Sequence, residues 1–309
     1  MMPVRLRDFI EDPDGWLYAV STYDNDEKVG CVLRYVPDET GERVNPSGMR
    51  YKKYDFEDAY VFIERHKPQY SNLVQRVPIH DVKKVLKPDI EVPRIARKHI
   101  RVQKLLDLFR LPAGTIGCTG SLLCKLENES SDIDMVVYGR HWFTAQRQVR
   151  QGILDGQMEG LSPEMWRKVY EKRKPEIPYD QFVLHELRKW NRGQIDGTYF
   201  DILFTRSYDE LKSAPKGRGA VIGKMKIEAK VTDASLAFDS PAVYEVEHES
   251  VSRVLSFTHT YSGQALAGET IEACGMCEQH GNERWLVVGT TREARGEYIV
   301  SRTLLEELI

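Results

Sequence analysis

The chain lacks an uninterrupted apolar stretch approaching the roughly twenty residues that cross a bilayer, so no membrane-spanning helix is expected. Its first dozen residues carry Arg5, Arg7, Asp8 and Glu11, which break up the apolar core a secretory signal needs. Cysteine is scarce: Cys31, Cys118, Cys124, Cys274 and Cys277 are an odd number scattered over 309 residues, unlike the dense frameworks of small disulfide-stapled domains. The cytoplasm is the expected compartment. Nor is there an excess of positive charge. A formal net charge of -3 and a pI near 6.3 argue against a surface that is wholly a nucleic-acid footprint, while leaving room for local basic patches. Internal repeats at solenoid periods and low-complexity tracts are also missing, which argues against a repeat array.

What is present suits a globular protein with cores. Hydrophobic residues at 41% against 29% charged leave enough apolar material to bury and enough charge to solvate the outside. The length suggests about two domains, or three. The pattern divides an α+β chain into an N-terminal α+β module over residues 1–90, a central domain with a helical insert over 91–215, and a β-rich domain over 216–309. In the first, Trp16 to Val20 and Val29 to Tyr35 read as strands across a polar turn, with Phe56 to Arg65 and His80 to Leu86 as short helices. The second opens on a helix from Pro93 to Arg110, proline being suited to a first helical position. Ile95, Val102, Leu106 and Phe109 fall on its packed stripe. Strands follow at Thr115 to Cys118, Ile133 to Tyr138 and Thr198 to Phe204, with helical segments between Thr144 and Arg192. The last segment alternates in short strands, as in a small barrel or sandwich.

Chemistry concentrates between Gly117 and Tyr138. Gly120-Ser121 forms a turn entering a short helix, where unpaired N–H groups and a hydroxyl suit an anion. Asp132 and Asp134, flanking Ile133, stand at the start of an apolar strand and so project to one face. Two adjacent carboxylates repel unless a cation lies between them, and Mg²⁺, with Mn²⁺ as the alternative, suits hard oxygen donors completed by phosphate and water. Asp201 is the one charge in the apolar and aromatic strand Thr198 to Phe204, where an ionised carboxylate needs a partner. It is the candidate third acid of a two-metal site.

These residues resemble the polymerase-β-like nucleotidyltransferase superfamily, whose signature is Gly followed by Gly or Ser, a spacer of about ten residues, Asp-apolar-Asp/Glu, and a later strand bearing a third acid. The likeness covers residues 93–206, and Thr119 stands where the pattern usually has an apolar residue. It implies a polymerase-β-type core of mixed sheet and helices. It implies further that Asp132, Asp134 and Asp201 are catalytic metal ligands and that Gly120 and Ser121 contact a nucleoside triphosphate. The flanking β-rich segments resemble uncharacterised archaeal-type predicted nucleotidyltransferases. The implied activity is transfer of a nucleoside monophosphate to an acceptor, RNA being one candidate, with release of pyrophosphate. The alternative is a nucleotide- or RNA-binding protein that retains the fold without turnover. A lone Asp-x-Asp is common, and the competing account makes Asp132 a turn cap and Asp134 a solvated edge charge.

A helix expected from Gln181 to Arg192 packs Val183, Leu187 and Trp190 and turns His185, Arg188, Lys189 and Arg192 outward. Arg188, Lys189 and Arg192 are therefore candidate nucleotide-binding cations, against the plainer account of a solvated helix face. His185 is assigned a structural role. Cys274 and Cys277 with His280 hint at a zinc site but lack a fourth ligand, and Cys118 and Cys124 are assigned to packing. Lys230, Arg292 and Arg295 are candidates for a nucleic-acid surface on the β-rich domain. Base preference, acceptor and oligomeric state are not legible.

Overall fold

The computed structural model describes residues 3–214, 217–290 and 295–307. In chain order, β1 (Phe9–Glu11), β2 (Leu17–Val20), β3 (Lys28–Pro37), β4 (Arg43–Val44) and β5 (Arg50–Lys53) precede α1 (Phe56–His66), β6 (Gln75–Pro78) and β7 (Lys84–Leu86). Then come α2 (Pro88–Lys98), α3 (Ile100–Phe109), β8 (Ile116–Cys118), α4 (Gly120–Cys124), β9 (Ile133–Tyr138) and α5 (His141–Leu154). Helices α6 (Pro163–Arg173) and α7 (Tyr179–Leu187) lead to β10 (Arg192–Ile195) and β11 (Thr198–Thr205). The chain ends in β12 (Ala220–Asp233), β13 (Ala242–Glu247), β14 (Arg253–Ser256), β15 (Thr270–His280), β16 (Glu283–Val288), β17 (Tyr298–Ser301) and α8 (Arg302–Glu306). The fold is mixed α+β, and among the described residues no helix is long and apolar enough to cross a membrane.

The chain divides into two compact units, one of residues 1–160 with 191–214, the other of 161–190 with 215–309. This differs from three consecutive segments. No division falls near residue 90, because Phe9, Leu17, Tyr35 and Tyr51 of the N-terminal sheet pack with Leu123, Cys124 and Leu126 in one core. The expected boundary between 215 and 216 lies outside the described residues.

In the first unit, the N-terminal strands form a sheet in the order β4-β5-β3-β2-β1-β7, with β6 also on β3. Its core is Ile10, Tyr18, Val29, Leu33, Ala59, Ile63 and their neighbours. Residues 80–86, expected to be helical, are a single 3-10 turn followed by β7, which extends the sheet by pairing with β1. A second sheet has the order β10-β11-β9-β8, with β9 and β11 parallel and both outer pairings antiparallel. Strand β9 is central, and Ile133, Met135, Val136, Val137 and Tyr138 are all buried, as expected of a strand covered on both faces.

The helix expected from Pro93 to Arg110 is instead two. Pro88 takes the first helical position, Pro93 lies inside α2, and the chain breaks at His99 with φ -123° and ψ 95°. The break re-phases the second helix, so Leu105 rather than Leu106 is buried beside Val102 and Phe109.

Buried ion pairs tie the N-terminus to this core. Arg5 lies between the rings of Tyr138 and Tyr208, at 4.0 and 3.7 Å, and donates to Asp89 at 3.0 Å. Lys87 Nζ lies 2.6 Å from Asp8, whose carboxyl burial pushes up to about 6 against the opposing pull of Lys87.

In the second unit β12 pairs with both β13 and β15, and the pairings β13–β14, β14–β16 and β16–β15 complete a closed circuit. Strand β17 adds to β15 outside the circuit. Phe182 and Trp166 pack with Ile227, Tyr244, Val254 and Leu286 in its core.

Trp142 on α5 is fully buried and its Nε1 donates to the Ile202 carbonyl on β11 at 3.2 Å. Trp142→Ala should cost about 3–5 kcal/mol of stability from the cavity and the orphaned carbonyl, measured by urea denaturation.

Candidate active site

The site grows from the turn between β8 and β9. Thr119 is extended, donating its N–H to the Asp134 carbonyl at 2.9 Å and its Oγ1 hydroxyl to the Arg7 carbonyl at 2.6 Å. Gly120 has φ +68°, and a Cβ there would run into Oδ2 of Asp134. Glycine is thus required twice over, by the backbone angle and by the carboxylate pressed against it. Leu122, Leu123 and Cys124 anchor the short helix in the core.

Asp132 precedes β9 and is exposed; Asp134 is the second residue of β9 and is partly buried. Strand β11 sets Asp201 directly opposite Asp134 in parallel register. Opposed residues of paired strands share a face, and Asp132 joins them by the two-residue period. Burial, then the charges of Asp201 and Asp132, push the Asp134 carboxyl from its ordinary 3.8 up to about 6, with Arg7 and Arg34 pulling the other way.

Asp201 is held from its other side. Tyr199 Oη donates to its Oδ2 at 2.9 Å, and Arg192 Nε stands 3.5 Å from Oδ1, an oxygen buried without a hydrogen bond. Arg192 owes this place to β10, whose antiparallel register sets it opposite Asp201. Among the described residues no three His, Cys, Asp or Glu side chains are gathered closely enough to hold a metal ion between them.

Asp132, Asp134, Gly120 and Ser121 line one pocket of about 330 Å³. The N-terminal sheet and its flanking segments also line it, through Arg7 ahead of β1, Arg34 on β3, Arg43 on β4, Lys53 on β5 and Phe56 at the start of α1. None of the five stands out as a site residue in the sequence. Arg7 has φ 73°, rare for a residue with a Cβ, and is kept there by Arg5 and Asp8 on either side and by Thr119. Arg43 donates to the Leu126 carbonyl at 3.2 Å and to Ser131 Oγ at 3.1 Å, tying the sheet to the loop before Asp132.

The remaining candidates fall elsewhere. Helix α7 ends at Leu187, and Trp190, with φ 48°, turns the chain towards β10. The expected faces are largely exchanged. His185 and Lys189 are buried while Leu187 is 52% exposed. Arg188 and Lys189 belong to the second unit, where Arg188 Nη1 lies 2.6 Å from Glu269 and Lys189 Nζ 2.5 Å from Glu186. Buried cations need such partners, and Glu186 also serves Arg173. His185 donates Nδ1–H to the Gln181 carbonyl at 2.7 Å and accepts the Ser301 N–H at Nε2, a structural role that burial reinforces by lowering its pKa to about 4. Cys274 and Cys277 stand on opposite faces of the continuous strand β15, and the His280 ring stacks on Trp285 at 3.7 Å. Cys118 and Cys124 are buried, which pushes both thiols up and leaves them inert. Lys230 and Arg295 are exposed; Arg292 lies outside the described residues.

A raised carboxyl pKa is a stability cost of the ionised form, absent below 3.8 and complete above about 6. Asp134→Asn should therefore raise stability by about 1–2 kcal/mol near pH 7.5, after discounting for partial exposure, with the gain vanishing as the pH falls to 4. Thermal melts of both proteins across that range measure the difference.

No family model matches the sequence, and no solved structure matches it. The chain is similar to the uncharacterised protein MJ1086 of Methanocaldococcus jannaschii, 38% identical over 339 aligned positions that span 96% of this chain and 99% of that protein. A likeness of this extent is one of whole chains, the N-terminal sheet and the second unit included, and the chain belongs to the family of that archaeal protein.

Proposed function

We propose that the first unit is a polymerase-β-type nucleotidyltransferase that moves a nucleoside monophosphate from a nucleoside triphosphate to an acceptor, with RNA as the candidate acceptor. The observation that carries this reading is the parallel register of Asp134 and Asp201, with Asp132 two residues upstream and the Gly120 backbone packed against the Asp134 carboxylate. The closed circuit of the second unit is read as a small β-barrel, with Lys230 and Arg295 exposed for an acceptor.

The donor set supports Mg²⁺ or Mn²⁺. The pocket lining offers carboxylate and hydroxyl oxygens and neither thiol nor imidazole, and the repulsion felt by Asp134 is of the kind a cation relieves. Asp132 and Asp134 would hold the ion, with Asp201 joining once it turns from Arg192. When bound, the metal neutralises the triphosphate and the charge that develops on the leaving oxygen. Gly120 and Ser121 border the phosphates. The acceptor hydroxyl oxygen forms a bond to the α-phosphorus and its proton passes to Asp201 Oδ1. The bond from that phosphorus to the bridging oxygen breaks, and pyrophosphate leaves.

A second reading, a nucleotide- or RNA-binding protein without turnover, is favoured by one observation. Arg192 already occupies the flank of Asp201, its Nε 3.5 Å from Oδ1. Incubation with each α-labelled triphosphate, in Mg²⁺ or Mn²⁺, against RNA and the protein itself separates the two. The transferase releases pyrophosphate and loses about 10²–10³-fold or more of its rate in Asp134→Asn, and chelation abolishes it. Triphosphate binding with no pyrophosphate from the wild type establishes the second reading instead.

A further inference from the structure

The pocket is richer in positive charge than a pair of metal-binding carboxylates explains. Arg7, Arg34, Arg43 and Lys53 face Asp132 and Asp134, in a chain whose formal net charge is -3. Arg43 is spent on the loop before Asp132. Arg34 is not: among the described residues its guanidinium makes neither hydrogen bond nor ion pair, it lies over the Phe56 ring, 5.2 Å from the centroid, and its charge acts on Asp134 only from a distance. It is also the single charge in β3 between Val29 and Tyr35, flanked by buried Leu33 and Tyr35. Nothing in the folding of β3 calls for a cation at that position.

Phe56 is equally unaccounted for. Ala59, Tyr60 and Ile63 are the buried face of α1, and Phe56 continues that stripe one turn beyond the core, where it is 63% exposed. A large aromatic left in solvent at the rim of a polar pocket is the kind of feature that marks a ligand surface. The pocket volume, about 330 Å³, is that of a small-molecule site.

We propose that Arg34 and Phe56 form the nucleotide-recognition wall of the pocket, the Phe56 ring stacking on the base and the Arg34 guanidinium meeting the phosphate chain. An aromatic face accepts any base, and an arginine beside it adds both cation–π attraction and a forked donor for phosphate. The ligand class is a nucleoside polyphosphate, bound across the pocket with its phosphates towards Gly120, Ser121 and the acids. The inference rests on the nucleotidyltransferase reading for the identity of that ligand, and it assigns recognition to strand β3 and the start of α1.

Equilibrium titration without divalent metal tests it, with ATP, CTP, GTP, UTP and inorganic tripolyphosphate as probes. Arg34→Gln should weaken all five about ten-fold or more, and Arg34→Lys should retain most tripolyphosphate affinity. Phe56→Ala should weaken the four nucleotides by roughly 5- to 100-fold while leaving tripolyphosphate unchanged, and Phe56→Trp should restore them. Circular dichroism of each variant confirms folding, which the exposure of Phe56 favours. Unchanged nucleotide affinity in Arg34→Gln and Phe56→Ala, equal loss of tripolyphosphate in Phe56→Ala, or no binding by the wild type would overturn the proposal. Nucleotide binding that depends on both residues in a protein releasing no pyrophosphate upholds this wall and rejects the transferase. Turnover with KM unaltered in both variants does the reverse.

Discussion

The parallel pairing of β9 and β11 sets Asp134 against Asp201, and the rest of the first unit is arranged around the electrostatic cost of that juxtaposition. Like charges on one sheet face are tolerated only where opposite charge or solvent lies close. Here positive charge approaches from two directions. Arg192 comes from the neighbouring strand β10, Arg34 from β3 and Arg7 from the segment ahead of β1. Gly120 lets backbone press against the Asp134 carboxylate where any side chain would collide. The buried pairs Arg5–Asp89 and Lys87–Asp8 then hold the N-terminal residues in place, keeping Arg7 in a backbone conformation it would not otherwise adopt.

The excursion of the chain into the second unit is bounded at the edge of the same sheet. Glu159 and Gln194 exchange backbone hydrogen bonds at 3.0 and 2.8 Å, so the chain is clasped where residues 161–190 leave and return. Gly193 lies inside this clasp, where a Cβ would press on the Glu159 carbonyl and the Phe200 ring. An insertion between β9 and β11 therefore leaves their register undisturbed. The acids stay opposed because the ends of the insertion, rather than its contents, are fixed.

Local signals were legible where local physics decides. Strand β9 runs from Ile133 to Tyr138 as its apolar pattern requires, with the glycine turn and Asp132 ahead of it and Asp134 at its start. The helix after residue 87 was misread because Pro93 looks like a helix start, whereas Pro88 serves that role and the interior proline is accommodated. The face of α7 was misread for a different reason. A buried lysine reads as solvated until its partner is known, and Glu186 lies three residues from Lys189 on a face taken to be exposed. The N-terminal wall of the pocket depends on tertiary packing that no single strand announces. Yet Arg34 carried the same mark that singled out Asp201, one charge alone in an apolar strand.

Arg43 reaches from the short strand β4 to the Leu126 carbonyl and the Ser131 hydroxyl, and Ser131 adjoins Asp132. The β4–β5 hairpin is thus a handle on the acidic loop. A displacement of that hairpin would be passed through Arg43 to Ser131, and so to the residue next to the first aspartate.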